Sequence, residues 1–465
     1  MASLPVTHPN RPSRSGSQPR LRPVLLIGGA LLIAVLTSAV GRLAAPSSAG
    51  QAAPRSAPGT LAAEDALGQI DQAIGVWSAN VARDDADFVS ATNLADLYYS
   101  RARLTGNVDD YARSTEAVEL SLKVYPQAAG PQQLRAQLLF ATHDFGGALA
   151  AAQAVLTAHP GQLAALATVA DAQLELGQYA DAARTLATLA AESPGAAVSA
   201  RQAHLAALLG DNAGAATLAR RAIEEATAAG GTATDRSWYE YLAGYLAFQA
   251  GDLTEAQRQF QAALTDWPGS YLAIAGLART RAAQGASEDA IGLYQKAIAI
   301  VPQPEFLAAL GDLYVLGGDS AGAAAQYNLV RVIAGLASVQ AQVYNRQLVL
   351  FDANHGDDVA NALVLAQREL ATRKDVYGWD AYAWALYANG RYADAWAAMR
   401  NATAQRTVDP LLDYHAGMIA AALGKADEAR RLLTAALVRN PGFDPLQASR
   451  ARAELAALGG GGARR

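Results

Sequence analysis

A chain of 465 residues with 52% hydrophobic residues, 17% charged residues and a mean hydropathy of +0.06 is too long for one ordinary core, so it holds either several domains or an array that grows without a single core. Alanine supplies much of the apolar count and bulky residues are thinly spread, which is the composition of closely packed helices. The absence of cysteine excludes disulfides and thiolate chemistry, and the six scattered histidines (His8, His143, His159, His204, His355 and His415) make no i, i+4 metal pair, so no cofactor or metal is expected.

Residues 1–23 form a basic, disordered leader, with Arg11, Arg14, Arg20 and Arg22, no acid, and many prolines and serines. Residues 24–41 hold the uncharged run VLLIGGALLIAVLTSAV, at the short limit for a membrane-spanning helix, with the basic residues on the cytoplasmic side. Two readings stand: an uncleaved signal-anchor, or a signal peptide cut after small residues such as Thr37-Ser38-Ala39 or Ser47-Ser48-Ala49. The first places the chain in the cell membrane as a single-pass protein with its body outside the cytoplasm; the second makes it secreted or periplasmic. Residues 42–60 are a Pro/Ala/Ser linker. Setting aside the four leader arginines, 33 of the 37 basic residues face all 42 acids, a body about nine net negative, which argues against nucleic acid as a partner.

The 61–91 region is expected to carry a helix over 61–82 that caps one end of the body, and 446–458 a second capping helix ahead of a flexible 459–465 tail. Between them the chain repeats. Gly251, Gly285 and Gly318, then Gly390 and Gly424, are spaced 34, 33 and 34 within their groups. Five residues after each comes Ala256, Ala290, Ala323, Ala395 or Ala429, and four further on Phe260, Tyr294, Tyr327, Met399 or Leu433. Prolines such as Pro160, Pro194, Pro268, Pro302 and Pro441 close units. The glycine ends a first helix in a left-handed conformation, the alanine marks a close crossing, and the proline stops the second helix.

This pattern resembles the tetratricopeptide repeat family over most of residues 86–445, here in a bacterial protein with an N-terminal signal or signal-anchor. The resemblance implies an all-α, right-handed superhelical solenoid of helix-turn-helix repeats, preceded by the N-terminal hydrophobic helix. About nine or ten units fill 92–445, starting near 92, 129, 163, 196, 237, 271, 304, 342, 376 and 410. The unit from 342 places Asn361 near where alanine is expected, and EATAAGGTATDRS stretches one spacing as a loop or a break.

In WYEYLAGYLAFQAGDLTEAQRQFQAALTDWP, Ala243, Gly244 and Ala247 form a small stripe, and Trp238, Tyr241, Tyr245 and Phe248 a second one at spacings of 3, 4 and 3. The same register gives Tyr377, Asp380, Trp384 and Tyr387, then Leu411, Tyr414 and Met418. The resemblance places this face on a concave groove that binds extended peptides or partner helices, although aromatics there also pack neighbouring first helices. Where some relatives clamp a carboxyl terminus with cations, this chain has Asp171, Asp312 and Asp380, with only Arg103 and Arg279 as cations. An apolar or basic partner segment is therefore expected, contacting Trp238, Tyr241, Tyr245, Phe248, Arg279, Tyr377, Asp380, Trp384, Tyr387 and Tyr414.

No GxxxxGK[ST], HExxH or GxSxG stands in the sequence, and too little chain is left over for a catalytic domain, so no enzyme is expected. Glu224-Glu225 and Asp357-Asp358 read as solvated surface, and Asp413 and His415 lack a nucleophile. The leading reading is a protein-interaction scaffold at the cell envelope. The alternatives are an extracytoplasmic binding protein for a small ligand or glycan, and a spacer that binds nothing.

Overall fold

The computed structural model describes residues 63–340 and 345–460, and every regular element among them is a helix. The leader, the hydrophobic 24–41 segment and the linker lie outside the described residues. No helix among the described residues is long and apolar enough to cross a membrane.

A lone helix, α1 (Ala63–Arg83), precedes ten helical hairpins. These are α2 (Phe88–Thr105) with α3 (Asp109–Val124), α4 (Ala129–Ala141) with α5 (Phe145–Ala158), α6 (Leu163–Glu175) with α7 (Tyr179–Glu192), α8 (Ala196–Leu208) with α9 (Asn212–Ala228), and α10 (Ala233–Ala250) with α11 (Leu253–Asp266). Then come α12 (Tyr271–Ala283) with α13 (Ser287–Ile300), α14 (Pro304–Leu316) with α15 (Ser320–Gln340), α16 (Asn345–His355) with α17 (Val359–Thr372), α18 (Val376–Ala388) with α19 (Tyr392–Ala402), and α20 (Pro410–Ala422) with α21 (Ala426–Arg439). A last lone helix, α22 (Gln447–Gly460), packs on α21 and α20. The first hairpin begins at Phe88, four residues ahead of the expected 92, with Asp87 as its N-cap. The stretched spacing before Ser237 is neither loop nor break: α9 runs on to Ala228, and α10 starts early on a capping box of Thr232 and Asp235.

The fifth hairpin shows how sequence makes the unit. Gly251, at φ 87°, ends α10, and Asp252 then caps α11 by accepting from the Glu255 amide at 3.0 Å. The same glycine-then-aspartate pair recurs at Gly210-Asp211 and Gly318-Asp319, where the aspartates accept from Gly214 and Gly322. In the eighth hairpin Asp358 is the cap, accepting from Asn361, so this acid is structural rather than merely solvated. The longer turn there makes Ala362, fully buried, the small contact residue in place of Asn361.

Across the hairpin the two helices meet small against large. A Cβ at Gly244 would stand 2.8 Å from the Phe260 ring, and one at Gly276 of the next hairpin 2.4 Å from it, so Phe260 is wedged between two glycines. Gly311 against Tyr327 and Gly417 against Leu433 repeat the fit. Cores therefore run along the stack; one extends from Ile74 through Phe145 and takes in Leu307, Val330 and Phe351.

The stack coils tightly enough to touch itself. The turn of the third hairpin meets the link between the eighth and ninth: the Lys374 amide donates to the Glu175 carbonyl at 2.9 Å, and the Val376 amide to the Tyr179 hydroxyl at 2.9 Å. The turn of the fourth meets the link between the ninth and tenth, where the Thr407 hydroxyl donates to the Leu208 carbonyl. These partners lie 197 to 199 positions apart. A Cβ would stand 2.4 Å from the Lys374 carbonyl oxygen at Gly177, 2.5 Å from that of Arg406 at Gly210, and 2.1 Å from that of Arg439 at Gly251. Gly106, in the first hairpin, similarly approaches Val301 and Tyr271. For hairpins one, three, four and five the turn of hairpin n thus seats on the link after hairpin n+5; the link after hairpin seven lies outside the described residues.

One buried ion pair locks this seam. Arg373 Nε lies 2.5 Å from Glu175 Oε2, with 6% and 1% of the two side chains exposed, and the guanidinium also reaches Glu369 at 3.3 Å and covers the Phe145 ring at 4.9 Å. Glu175→Ala would remove the main partner of a buried charge. The expected result is a loss of about 3 kcal/mol in chemical denaturation, with unchanged helix content and a larger radius of gyration in solution scattering. An unchanged radius would mean that the seam does not hold the coil.

A second buried carboxyl gives a pH signature. Burial, and then repulsion from Asp357 and Asp358, push Asp352 up to about 7. The folded state holds this proton more tightly than the unfolded chain, so stability falls as pH rises from about 4 through about 7. Asp352→Asn is expected to match the parent near pH 4.5 and, after allowance for partial exposure, to exceed it by about 1–2 kcal/mol at pH 8. Equal loss at both pH values in denaturant titrations would contradict the assignment.

Candidate functional site

Closing the seam turns the concave faces of the first helices into the wall of a cleft. Arg346, on α16, lies within electrostatic reach of Glu175 on α6, Tyr245 on α10, Glu305 on α14 and Tyr377 on α18. Polar groups from five helices thus converge. Gln249 Nε2 reaches the hydroxyls of Tyr245 at 2.8 Å and Tyr377 at 2.6 Å and the carboxylate of Asp409 at 3.0 Å, and the Tyr377 hydroxyl donates to Asp409 at 3.2 Å. Arg346 sits over the Tyr377 ring at 5.6 Å with a buried Nη1 that has no hydrogen-bond partner. Arg279 covers Phe248 at 4.4 Å.

The wall is electrostatically stressed. Burial pushes the carboxyl of Glu305 above its usual range against the pull of Arg279 and Arg346, and it does the same to Asp409 against the Leu411 amide and Arg279. Burial also raises the hydroxyls of Tyr245 and Tyr377, and it lowers His204 to about 4, which leaves that imidazole neutral.

The ten residues singled out by register divide in two. Tyr241, Phe248, Asp380, Trp384 and Tyr414 are buried, with their surfaces taken up by neighbouring helices. Trp384 is stacked between Tyr387 at 4.5 Å and His415 at 4.1 Å, and its indole N–H donates to Asn354 at 2.7 Å. Tyr414 packs on Phe443. Trp238, Tyr245, Arg279, Tyr377 and Tyr387 keep part of their surface. Of these, the structure brings Tyr245 and Tyr377 together through Gln249.

The acids found where a clamp would need cations are each met by a side chain of the next hairpin. Asp171 receives Arg201 at 2.8 and 2.9 Å, Asp312 receives His355 at 2.8 Å, and Asp380 receives His415 at 2.9 Å, so His415 pairs with Asp380 rather than with Asp413. Gln249, Glu305, Arg346 and Asp409 do not stand out in the sequence. Gln249 adjoins Phe248 in the groove register, a usable signal, but its partners stand 128 and 160 positions away. Beside the seam lies a space of about 420 Å³, floored by Ala207, Ala219 and Ala247, bounded by Gln249 and roofed by Thr407 and Val408. Among the described residues, no group of three or more His, Asp or Glu side chains is placed to hold a metal.

Tetratricopeptide repeat family models match residues 241–305 and 381–445, and a second such model matches 139–209. No curated protein matches the chain. Similar solved structures include a thermophilic TPR protein of Thermus thermophilus (19% identity, TM-score 0.34, over 39% of this chain and 92% of that one) and the APC/C hetero-tetramer Cut9-Hcn1 (14%, TM-score 0.35, over 85% and 94%). The human IFIT1 dimer with PPP-AAAA is also similar, at 15% identity and TM-score 0.42 over 81% of this chain and 86% of that one. Three matched segments, set among hairpins that mostly turn at a glycine, show that the chain carries tetratricopeptide repeats, a fold that is generally a non-catalytic scaffold for protein interaction.

Proposed function

We propose that the protein holds an extended segment of another polypeptide in the concave cleft, and that residues 24–41 place the repeats on the outer side of the cell membrane, as an uncleaved anchor or as a signal that is cut. The observation that carries the first part is the meeting of Tyr245, Gln249, Glu305, Arg346 and Tyr377, each of which keeps part of its surface. A bound segment supplies what the wall lacks. Its basic side chain offsets the carboxyl of Glu305, which keeps part of its surface. The Tyr245 and Tyr377 rings offer rigid amphipathic contacts, with Trp238 and Tyr387 further along the wall. Capture of a small ligand is the second reading, favoured by the 420 Å³ space beside Thr407.

A photo-crosslinking residue at position 245 or 377 is expected to trap a polypeptide in cells, while one replacing Val438, 79% exposed on the outside, traps none. Tyr245→Ala combined with Tyr377→Ala should lower capture about tenfold while the variant keeps its helix content. Equal trapping from Val438, or none from the cleft, would sink the polypeptide reading and leave the small ligand. For location, protease added to spheroplasts should digest the repeats while residues 1–23 stay protected or are absent; full protection would refute an outer location.

A further inference from the structure

The seam leaves much of each edge unused. Among the described residues, the turns of hairpins one, three, four and five seat on later links, and hairpin six also meets the link after hairpin ten, where a Cβ at Gly442 would stand 2.5 Å from the Ala283 carbonyl oxygen; the turns of hairpins seven to ten show no such seat. The contrast is visible at the glycines: a Cβ at Gly285, Gly318, Gly356, Gly390 or Gly424 would meet nothing within 4 Å, whereas those at Gly177, Gly210 and Gly251 would collide with a carbonyl. Correspondingly, the links after hairpins one to five have no turn beneath them. These links, 125–128, 159–162, 193–195, 229–232 and 267–270, read YPQA, HPGQ, SPG, AGGT and WPGS and contain no Asp, Glu, Lys or Arg. We infer that a second copy of this chain docks there head to tail, continuing the coil.

The two lone helices fix the register. Helix α22 stands in the first-helix place after hairpin ten, and α1 in the second-helix place before hairpin one. Across a junction they complete one composite hairpin. The face of α1 that the chain leaves open carries Gly68, Gly75 and Val76, with Val76 54% exposed and nothing within 4 Å of a Cβ at either glycine; the open face of α22 carries Ala453, Ala456 and Ala457. Small residues are what the crossings inside each hairpin use.

Counting the composite unit as the eleventh, the turn of hairpin seven seats on the link after hairpin one of the second copy. Beside that turn the end of α14 exposes Val315 at 44% and Leu316 at 52%; the link exposes Tyr125 at 49%, and the end of α3 before it exposes Val124 at 41%. Apolar groups left bare at opposite ends of one molecule thereby cover each other. By the same count the turn of hairpin nine, with Tyr392 39% exposed, meets Ser193-Pro194-Gly195. The contact is heterologous, so it propagates rather than closing as a two-fold pair.

The test uses two full-length variants, one for each edge. Tyr125→Glu with Pro194→Glu spoils the link edge; Leu316→Glu with Tyr392→Glu spoils the turn edge. In sedimentation velocity the parent should gain mass with concentration through a ladder of species, and each variant alone should stay monomeric. Their equimolar mixture should form a dimer that grows no further, since each supplies the edge the other lacks, and that dimer also shows that both variants are folded. A parent that stays monomeric, a variant that still assembles by itself, or a mixture that stays monomeric would overturn the proposal. Assembly of the turn-edge variant alone would point to a symmetric pair through the links.

Discussion

Everything distinctive in this molecule depends on the approach of a turn glycine to a backbone carbonyl one coil away. At Gly177, Gly210 and Gly251 any Cβ would lie within 2.1 to 2.5 Å of that oxygen, so the coil closes only because these side chains are missing. A repeat array is ordinarily one-dimensional, each unit touching only its neighbours. Here hairpin n is also tied to hairpin n+5, so a change in the third hairpin is felt in the eighth and ninth. The seam therefore converts a spring into a tube, and the cleft is a product of that closure rather than of any one hairpin.

Closure also explains how charge is distributed inside. A carboxylate on a concave wall is cheap while the groove is open to water and expensive once coils pack. Asp171, Asp312 and Asp380 are each met by a base from the following hairpin, and Glu175 by Arg373 from the next coil. A misregistered stack would strand every one of these acids, so the pairs specify the register even where their net contribution to stability is small. Glu305, Asp409 and Arg346 are the places where this matching is incomplete, and they lie together.

The hairpins are legible in sequence because their cause is local. A glycine, an alanine five residues on and a large apolar residue four beyond that are set by one crossing of two helices, and the structure returns them as Gly251, Ala256 and Phe260 of one hairpin. The aspartate after the glycine is equally local, yet it reads as surface because a cap and a solvated turn look alike in sequence. The seam is not legible, since its partners are 197 to 199 residues apart and carry no shared pattern. That is also why the aromatic register is ambiguous: 3, 4, 3 spacing fixes which face of a helix Trp384 occupies, but not whether Tyr387 and His415 already cover that face.

Magnitudes decide which part of the tube yields first. Within a hairpin, losing a wedged ring such as Phe260 costs about 3–5 kcal/mol. The seam is held by single hydrogen bonds of about 0.5–1.5 kcal/mol each and by a charge pair whose net worth is reduced by its own desolvation. Apolar side chains add to it, since Leu174 and Leu208 cluster with Val376 and Leu412, and Val108 with Leu307, across the coils. Separation of the coils with hairpins intact would open a route to the concave wall. A bound segment that bridged Tyr245 of the first coil and Tyr377 of the second would tie both coils and oppose that opening, so occupancy of the cleft and closure of the seam are thermodynamically coupled.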